Sequence, residues 1–101
     1  MKSYIIESGH NSNNYYRKYS DGFIEQWGTI SISGGYEKSG RVTFLKTFTT
    51  LSSISILVSS APSSIIASYG DLNLNGFTGY TNCKYGFSNT SNIIKWYACG
   101  Y

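Results

Sequence analysis

The sequence predicts an all-β fold, a small antiparallel β-sandwich or barrel-like domain. β-branched and aromatic residues dominate the runs between turns, and aromatic residues alone make up 17% of the 101 residues. No apolar stripe recurs at the three- and four-residue spacing of an amphipathic helix. Glycine, asparagine, serine and aspartate interrupt the runs at short intervals, as turns between strands do. The length corresponds to one domain.

The first third of the chain predicts a hairpin that is preceded by a short strand. Ser3–Glu7 is the short strand, and a loop follows it as far as Asn14. Tyr15–Tyr19 is the next strand and Ser20–Gly22 its turn, because an Asp-Gly pair supplies the positive φ that a tight hairpin requires. Phe23–Ser33 is the returning strand.

The returning strand carries apolar groups on both of its faces. Ile24 and Gln26 alternate with Glu25 and Trp27, so the two pairs lie on opposite faces. We therefore expect this strand to be covered on both sides, by the core and by a neighbouring chain.

The remainder of the chain predicts five further strands, of which one has an evident buried face. Val42, Phe44 and Phe48 share that face, and Leu45 opposes them. The predicted strands are Arg41–Phe48, Ser53–Ser60, Ile65–Tyr69, Phe77–Phe87 and Ile93–Tyr101. The predicted loops between them are residues 33–40, 70–76 and 88–92, with Pro62 in another.

Charge argues against a nucleic-acid partner, and the lack of long apolar stretches argues against membrane insertion. Charged residues make up 13% of the chain, the net charge is +3, and no basic run is longer than two. A nucleic-acid-binding surface usually shows clustered lysine and arginine, so no nucleic acid is expected. No stretch is long and apolar enough to span a bilayer, and the first residues lack the apolar region of a signal peptide. We therefore expect a soluble chain with no membrane insertion and no signal for export.

Three segments together resemble one known family, the C-terminal receptor-binding (tip) domain of bacteriophage and prophage tail fibres. The entry YRKYSDGFIEQWG contains the family's aromatic strand, glycine turn and IxQWG-like segment, here Ile24–Gly28. Val42–Leu45 is similar to the family's VTFP strand, with Leu45 in place of proline. Trp96–Tyr101 is similar to its final WIAIGY strand, with Cys99 in place of an aliphatic residue. The resemblance covers residues 15–101.

The resemblance implies a homotrimer at the distal end of a virion tail fibre, assembled in the host cytoplasm. It implies attachment to a bacterial surface polysaccharide or outer-membrane protein without catalysis. Residues 1–14 are then a shaft remnant or an N-terminal strand and loop. The alternatives are a trimerisation or assembly domain without receptor contact, a depolymerising tip enzyme, and a lectin-like module unrelated to phage. The particle itself is a phage, a prophage remnant or a contractile bacteriocin.

Candidate binding residues combine aromatic faces with amide and carboxylate groups, as saccharide sites do, although an ordinary polar loop has the same composition. The candidates for receptor binding are Tyr36, Lys38, Tyr69, Asp71, Asn73, Asn75, Phe77 and Tyr80. Gln26, Trp27 and Trp96 lie in the family-like segments and are expected in the core or at trimer contacts.

Neither catalysis nor a metal or other cofactor is predicted. The five acidic residues imply no placed pair of carboxylates, and His10 is the single histidine, so no catalytic triad or metal-ligand pattern emerges. Cys83 and Cys99 show no metal-binding spacing; a disulfide between them is an alternative to packed, reduced thiols. Because the resembling family carries an aliphatic residue at the position of Cys99, a buried, reduced thiol is favoured over a disulfide.

Overall fold

A computed structural model describes residues 3–32, 37–61, 65–83 and 92–101, and this part of the chain is almost entirely antiparallel β structure. The predicted all-β fold is confirmed. The strands are β1 Ile5–His10, β2 Asn14–Tyr19, β3 Ile24–Ile32, β4 Glu37–Thr43, β5 Ser55–Ala61, β6 Ile65–Asn73, β7 Gly76–Cys83 and β8 Asn92–Gly100. A 3₁₀ turn, Leu51–Ser53, precedes β5.

The strands form two sheets. The larger sheet has the order β1-β2-β3-β8-β5, and the smaller has the order β4-β7-β6. Strand β8 is hydrogen-bonded to β3 on one side and to β5 on the other. The described part of the chain contains no helix that could cross a membrane.

The core lies between the two sheets and follows the period-two alternation of their strands. In β8 every second residue from Asn92 to Gly100 is buried, and in β3 Ile24, Gln26 and Ile32 are buried on one face. The face of β3 that carries Ile24 is therefore the inner one; the sequence separated the two faces of this strand without indicating which of them faces the core. Four aromatic rings pack together in the centre, with centroids 5.0–5.9 Å apart: Phe44, Phe48, Phe77 and Trp96.

The segment after β4 leaves the sheet earlier than the sequence predicted. The expected strand Arg41–Phe48 ends at Thr43, because the next backbone N–H groups donate to the β6–β7 turn instead of to a strand. Phe44 N donates to Asn75 O at 2.8 Å and Phe48 N to Leu74 O at 3.0 Å. Phe44 and Phe48 are nevertheless buried together with Val42, as the predicted shared face requires.

Polar stretches that were predicted as loops instead belong to strands. Strand β6 continues through most of the expected loop 70–76, with a register shift after Gly70, and β4 already begins at Glu37. Strand β1 extends to His10 because it pairs with β2 along that length. Composition was misleading here, since outward-facing strand residues are as polar as loop residues. Residues 88–91 of the predicted turn 88–92 lie outside the described residues, and its last residue, Asn92, is the first residue of β8.

Candidate functional site

The predicted binding residues do not form one site, and the alternation of β7 separates two of them, Phe77 and Tyr80. Phe77, Gly79 and Thr81 are buried on its inner face, and Thr78 and Tyr80 lie on its outer face. The register with β4 places Arg41 beside Thr78. The outer face of the smaller sheet is therefore the place where two predicted residues, Tyr80 and Asp71, are accessible together.

We define the outer patch as Arg41, Gly70, Asp71, Thr78 and Tyr80. The Tyr80 hydroxyl donates to Asp71 Oδ2 at 2.6 Å. Arg41 Nη1 donates to the Asp71 carbonyl oxygen at 2.8 Å and lies 3.2 Å from Thr78 Oγ1. The patch is a hydrogen-bonded cluster with an aromatic ring, a cation and a carboxylate on one exposed surface.

Asp71 has an unusual backbone conformation, with φ of 50°. Residues other than glycine adopt this left-handed region at a cost, and aspartate is among those that tolerate it best. The conformation coincides with the register shift after Gly70 and brings the carboxylate to Tyr80. Gly70 permits the Tyr80 ring to pack over the strand, because a Cβ there would lie 3.2 Å from the ring. The hydrogen bond to Asp71, with a contribution from burial, raises the pKa of Tyr80.

Four other candidates lie away from the outer patch. Lys38 pairs with Thr81, and Tyr69 with Gly79, so the backbone register assigns both to the opposite face of the sheet, although both are exposed. Asn73 and Asn75 lie at the β6–β7 turn, where Asn75 N donates to Asn73 Oδ1 at 2.8 Å. Tyr36 lies outside the described residues.

Phe77 requires a correction. Its side chain is 0% exposed and packs against Phe44 and Trp96 in the core. It was expected as an accessible binding residue at the start of a strand, whereas it is the second residue of β7 and faces inward. Phe77 therefore supports the neighbouring strand and makes no direct contact at the surface.

Arg41 and Thr78 are members of the outer patch that the sequence did not identify. Each occupies an outward-facing strand position, and the two are paired across β4 and β7. Alternation within each strand would place both outside, but their proximity depends on a pairing between segments 37 positions apart. No short-range signal gives that pairing.

The three residues expected in the core or at trimer contacts are also divided. Gln26 is 0% exposed and Trp96 is 3% exposed, and both face the core. Trp27 lies on the opposite, outer face of β3 and is half-buried. The alternation between Gln26 and Trp27 predicted this separation.

Trp27 belongs to a row of apolar groups that crosses the outer face of the larger sheet. The register aligns Tyr15, Trp27, Tyr97 and Leu57 on strands β2, β3, β8 and β5; we call these residues the aromatic row. Tyr15 stacks on Trp27 with a centroid distance of 5.8 Å, and Arg17 lies 4.7 Å above the Trp27 ring. Leu57 is 70% exposed, so the row ends in an uncovered aliphatic group.

Glu25 organises the polar groups beside the aromatic row. Its carboxylate accepts hydrogen bonds from Tyr19 at 2.6 Å and from Tyr97 at 2.8 Å, and it pairs with Arg17 at 3.3 Å. Burial raises the pKa of Glu25, but these hydrogen bonds and the guanidinium charge outweigh it and hold the pKa below its ordinary value of 4.5. Burial, followed by the hydrogen bond to Glu25, strongly raises the pKa of Tyr97. The carboxylate therefore acts as a structural acceptor.

Two further predictions concern metals and thiols. Within the described ranges no group of three or more histidine, cysteine, aspartate or glutamate residues is placed to hold a metal ion. Cys99 is a half-buried free thiol, and the side chain of Cys83 lies outside the described part.

Comparison with known proteins gives one family and one fold. Residues 18–101 match the family described as "Putative tail fiber protein gp53-like, C-terminal". No curated protein matches the sequence.

Three solved structures have the same fold at low sequence identity. An N-truncated R1-type pyocin tail fibre superposes with a TM-score of 0.70 at 16% identity, over 95% of this chain and 87% of that one. A longer C-terminal portion of the R1 pyocin fibre from P. aeruginosa gives 0.66 at 18% identity, over 94% and 28%. An N-truncated R2-type pyocin tail fibre gives 0.57 at 20% identity, over 95% and 38%.

Proposed function

Because the chain belongs to the family of gp53-like tail fibre C-terminal domains, we propose that it forms the homotrimeric distal tip of a phage-type fibre and binds a bacterial surface receptor. The family match over residues 18–101 is the observation that carries this proposal, and the shared fold with pyocin tail fibres supports it. The receptor is a surface polysaccharide or an outer-membrane protein, and attachment involves no catalysis. The site of action is the virion or pyocin particle, after assembly in the host cytoplasm.

We assign contacts between fibre chains to the aromatic row. A sheet face that exposes Tyr15 at 42% and Leu57 at 70% loses unfavourable contact with water when a second copy covers it. Tyr and Trp are enriched in protein interfaces, and Trp27 lies in the middle of the row. We therefore keep Trp27 as a proposed trimer contact, as the sequence analysis expected.

We assign receptor contact to the smaller sheet, which carries the outer patch. The Tyr80 ring offers a face for stacking, and Arg41 and Asp71 offer charged donors and acceptors beside it. Lys38 and Tyr69 are exposed on the same sheet, and Asn73 and Asn75 lie at its end, so they remain candidates for a wider contact. Weak contacts suffice, since three linked copies gain roughly 10²–10⁴ in avidity.

A second candidate is a trimerisation or assembly domain without receptor contact. The aromatic row favours this assembly function, because it can pack against another chain whether or not a different surface binds a host receptor. The two functions differ in the behaviour of a well-formed trimer towards cells.

Mass in solution and adsorption to cells test the proposal. Light scattering of the purified chain is expected to give three times 11.2 kDa, and the same sample is expected to decorate cells of a susceptible strain. A trimer that decorates no strain in a broad panel would favour the assembly function. A stable monomer would contradict both and favour an isolated lectin-like module.

A further inference from the structure

Among the described strands, the four at sheet edges differ in how well they are protected against pairing with another chain. Strands β1 and β6 each contain a register shift, and β4 exposes Lys38 and Arg41. Shifts and edge charges of this kind hinder pairing with a further strand. Strand β5, Ser55–Ala61, contains no charged residue, proline or glycine, and its register with β8 is continuous. It is therefore the edge best suited to accept another strand.

The main chain of β5 directs free hydrogen-bonding groups away from β8. Thr29 N donates to the β1–β2 turn, so alternate residues of β3, counted from Thr29, bond to β2. On β8 the residues paired with them, such as Tyr97, then bond to β5, where Tyr97 is in register with Leu57. Ile56 and Val58, on either side of Leu57, therefore point their N–H and C=O groups towards the open side.

Strand β1 has free groups of the same kind at the opposite edge of the larger sheet. Asn11 N donates to the Asn14 carbonyl oxygen at 2.9 Å, so Asn11 and, by alternation, Gly9 bond to β2. Ser8 and His10 therefore direct their N–H and C=O groups outward. The register shift of β1 precedes this segment, so it does not interrupt the free groups.

The aromatic row reaches both of these open edges. It ends at Leu57 on β5, and on the other side Tyr15 is in register with His10 of β1, with ring centroids 5.5 Å apart. His10 and Leu57 thus lie on the same outer face, at the same level along the strands.

Exposed apolar side chains accompany both edges at one end of the sheet. Tyr4, which precedes β1, is 65% exposed, and Leu51, which precedes β5, is 50% exposed. Tyr4 N donates to Ser20 Oγ in the β2–β3 turn, and Thr50 N donates to the Tyr101 carbonyl oxygen after β8. A second chain placed edge to edge would cover both apolar groups.

The strand directions indicate which edges of two copies fit together. Neighbouring strands of the larger sheet are antiparallel, so β1 and β5, the first and fifth across it, run in the same direction. Rotation about an axis parallel to the strands keeps that direction, and it brings β5 of one copy beside β1 of the next as a parallel pair. Parallel pairing keeps the outer faces of the two sheets continuous. Antiparallel pairing would set Val58, which faces inward, opposite an outward-facing residue such as His10.

We propose that β5 of each copy pairs in parallel with β1 of the next copy, so that three larger sheets close into a ring around the threefold axis. Rotation adds no shift along the strands, so Leu57 comes opposite His10 of the next copy and the aromatic row continues around the ring. Ile56 N then donates to the Ser8 carbonyl oxygen, and Val58 N to that of His10. This inference rests on the proposed trimer, and it adds the main-chain contacts and the closure of the sheet edges.

The dimensions of such a ring suit the side chains that it would enclose. With strands about 4.8 Å apart, three five-stranded sheets form a prism whose walls lie about 7 Å from its axis. One layer of aromatic side chains from each wall fills that distance. The smaller sheets cover the other face of each wall, so the outer patch remains accessible on the outside.

Disulfide trapping tests the pairing. In a Cys83→Ser, Cys99→Ser background, Ser8→Cys and Ser55→Cys place thiols at positions that the proposed register sets side by side in neighbouring copies, about 5 Å apart. Within one copy the two positions lie at opposite edges of the sheet, about 19 Å apart, which is too far for a disulfide. Mild oxidation is expected to give a covalent species of three times 11.2 kDa on a denaturing gel.

A matched pair of serines serves as the control. Ser8→Cys combined with Ser59→Cys uses the same two strands and exposed positions, but the proposed register separates the thiols by four residues, about 13 Å. This pair is expected to remain uncross-linked. Equal cross-linking of both pairs would overturn the proposal, and thermal midpoints verify that each variant is folded.

Hydrogen exchange resolved to single amides tests the unmodified chain. The N–H groups of Ile56, Val58 and His10 are expected to exchange at least tenfold more slowly in the trimer than in chains dissociated by dilution. The Arg41 N–H, on the open edge of β4, is expected to exchange fast in both, because Phe44 N donates to the β6–β7 turn and alternation directs Arg41 N away from β7.

The remaining outcomes separate this inference from the proposed function. A trimer that neither cross-links through Ser8 and Ser55 nor protects these amides would overturn the edge pairing and leave the proposed trimer standing. A dimer in light scattering would assign the edge of β5 to twofold pairing with a second β5 and overturn the proposal. A stable monomer would overturn both the edge pairing and the proposed trimer.

Discussion

At the scale of single residues, the described carboxylates mainly hold neighbouring elements together. Glu25 joins β2, β3 and β8 through Arg17, Tyr19 and Tyr97. Glu7 accepts from Tyr16 and pairs with Lys46, and this pairing lowers the pKa of Glu7. Such side chains serve stability, and their protonation is expected to weaken the domain.

Acid sensitivity is predicted to depend on Glu25. Its pKa is lowered in the folded state, so its contribution to stability is complete above 4.5 and is lost as the pH falls through the lowered value. Urea unfolding of the unmodified chain and of Glu25→Gln, at fixed protein concentration, measures the difference. The stability gap between them is expected to shrink between pH 7 and pH 3. A gap that does not change with pH would contradict this role.

The backbone at Asp71 gives a second prediction. Asp71→Ala and Asp71→Gly both remove the hydrogen bond to Tyr80, but only glycine adopts the φ of 50° without strain. The alanine variant is expected to be less stable than the glycine variant by about 1 kcal/mol. Denaturant midpoints of the pair measure this difference, and equal stability would show that the left-handed conformation relaxes on substitution.

At the scale of elements, the alternation of apolar and polar residues predicted how side chains divide between strand faces, whereas polarity did not distinguish strands from loops. The separation of β3 into two faces, the shared buried face of Val42 and Phe44 and the final strand from residue 93 onward were predictable, because period two is a local property. The length of β6 was not predictable, since its outer residues are polar and a register shift lets Asp71 point outward. Only part of the outer patch was predicted, because local alternation gives no information about pairing between distant strands. Tyr80 and Asp71 are close in sequence, but Arg41 arrives from a distant strand.

Gln26 is the residue through which β3 fixes the irregular segment after β4. Its amide Nε2 donates to the Lys46 carbonyl oxygen at 2.7 Å, and its Oε1 accepts from Lys46 N at 3.0 Å. Gln26→Ala removes both bonds at a fully buried position and is expected to cost about 2–3 kcal/mol. Ser31→Ala, at an exposed position of the same strand, serves as the control. Unfolding in urea measures both, and equal stabilities would contradict the anchoring role.

At the scale of the whole molecule, the two sheets present different outer surfaces. The larger sheet exposes the aromatic row, and the smaller sheet exposes the polar outer patch. The described part of the chain is elongated, with extents of 51 × 26 × 19 Å. This division agrees with the proposal that one surface packs against other fibre chains while the other meets a receptor.

Assembly is predicted to depend on the exposed end of the aromatic row. Leu57→Asp places a charge in the proposed contact and is expected to weaken association at least tenfold, because burying an unpaired carboxylate is costly. Ser68→Asp adds the same charge to an exposed position of the smaller sheet and is expected to leave the mass unchanged. Light scattering over a dilution series compares them. A Leu57→Asp variant that remains trimeric would move the interface elsewhere.

The central position of β8 also constrains how the chain reaches its fold. Strands β3 and β5 meet only through β8, which follows β5 by about thirty residues and β3 by about sixty. Until that strand is available, Ile24, Gln26 and the facing rings have no completed sheet to pack against. Pairings over such separations are slow to search for, so folding is expected in milliseconds to seconds rather than microseconds. During translation the nascent chain is then expected to expose an incomplete apolar surface, and the proposed association between fibre chains is expected to follow the synthesis of β8.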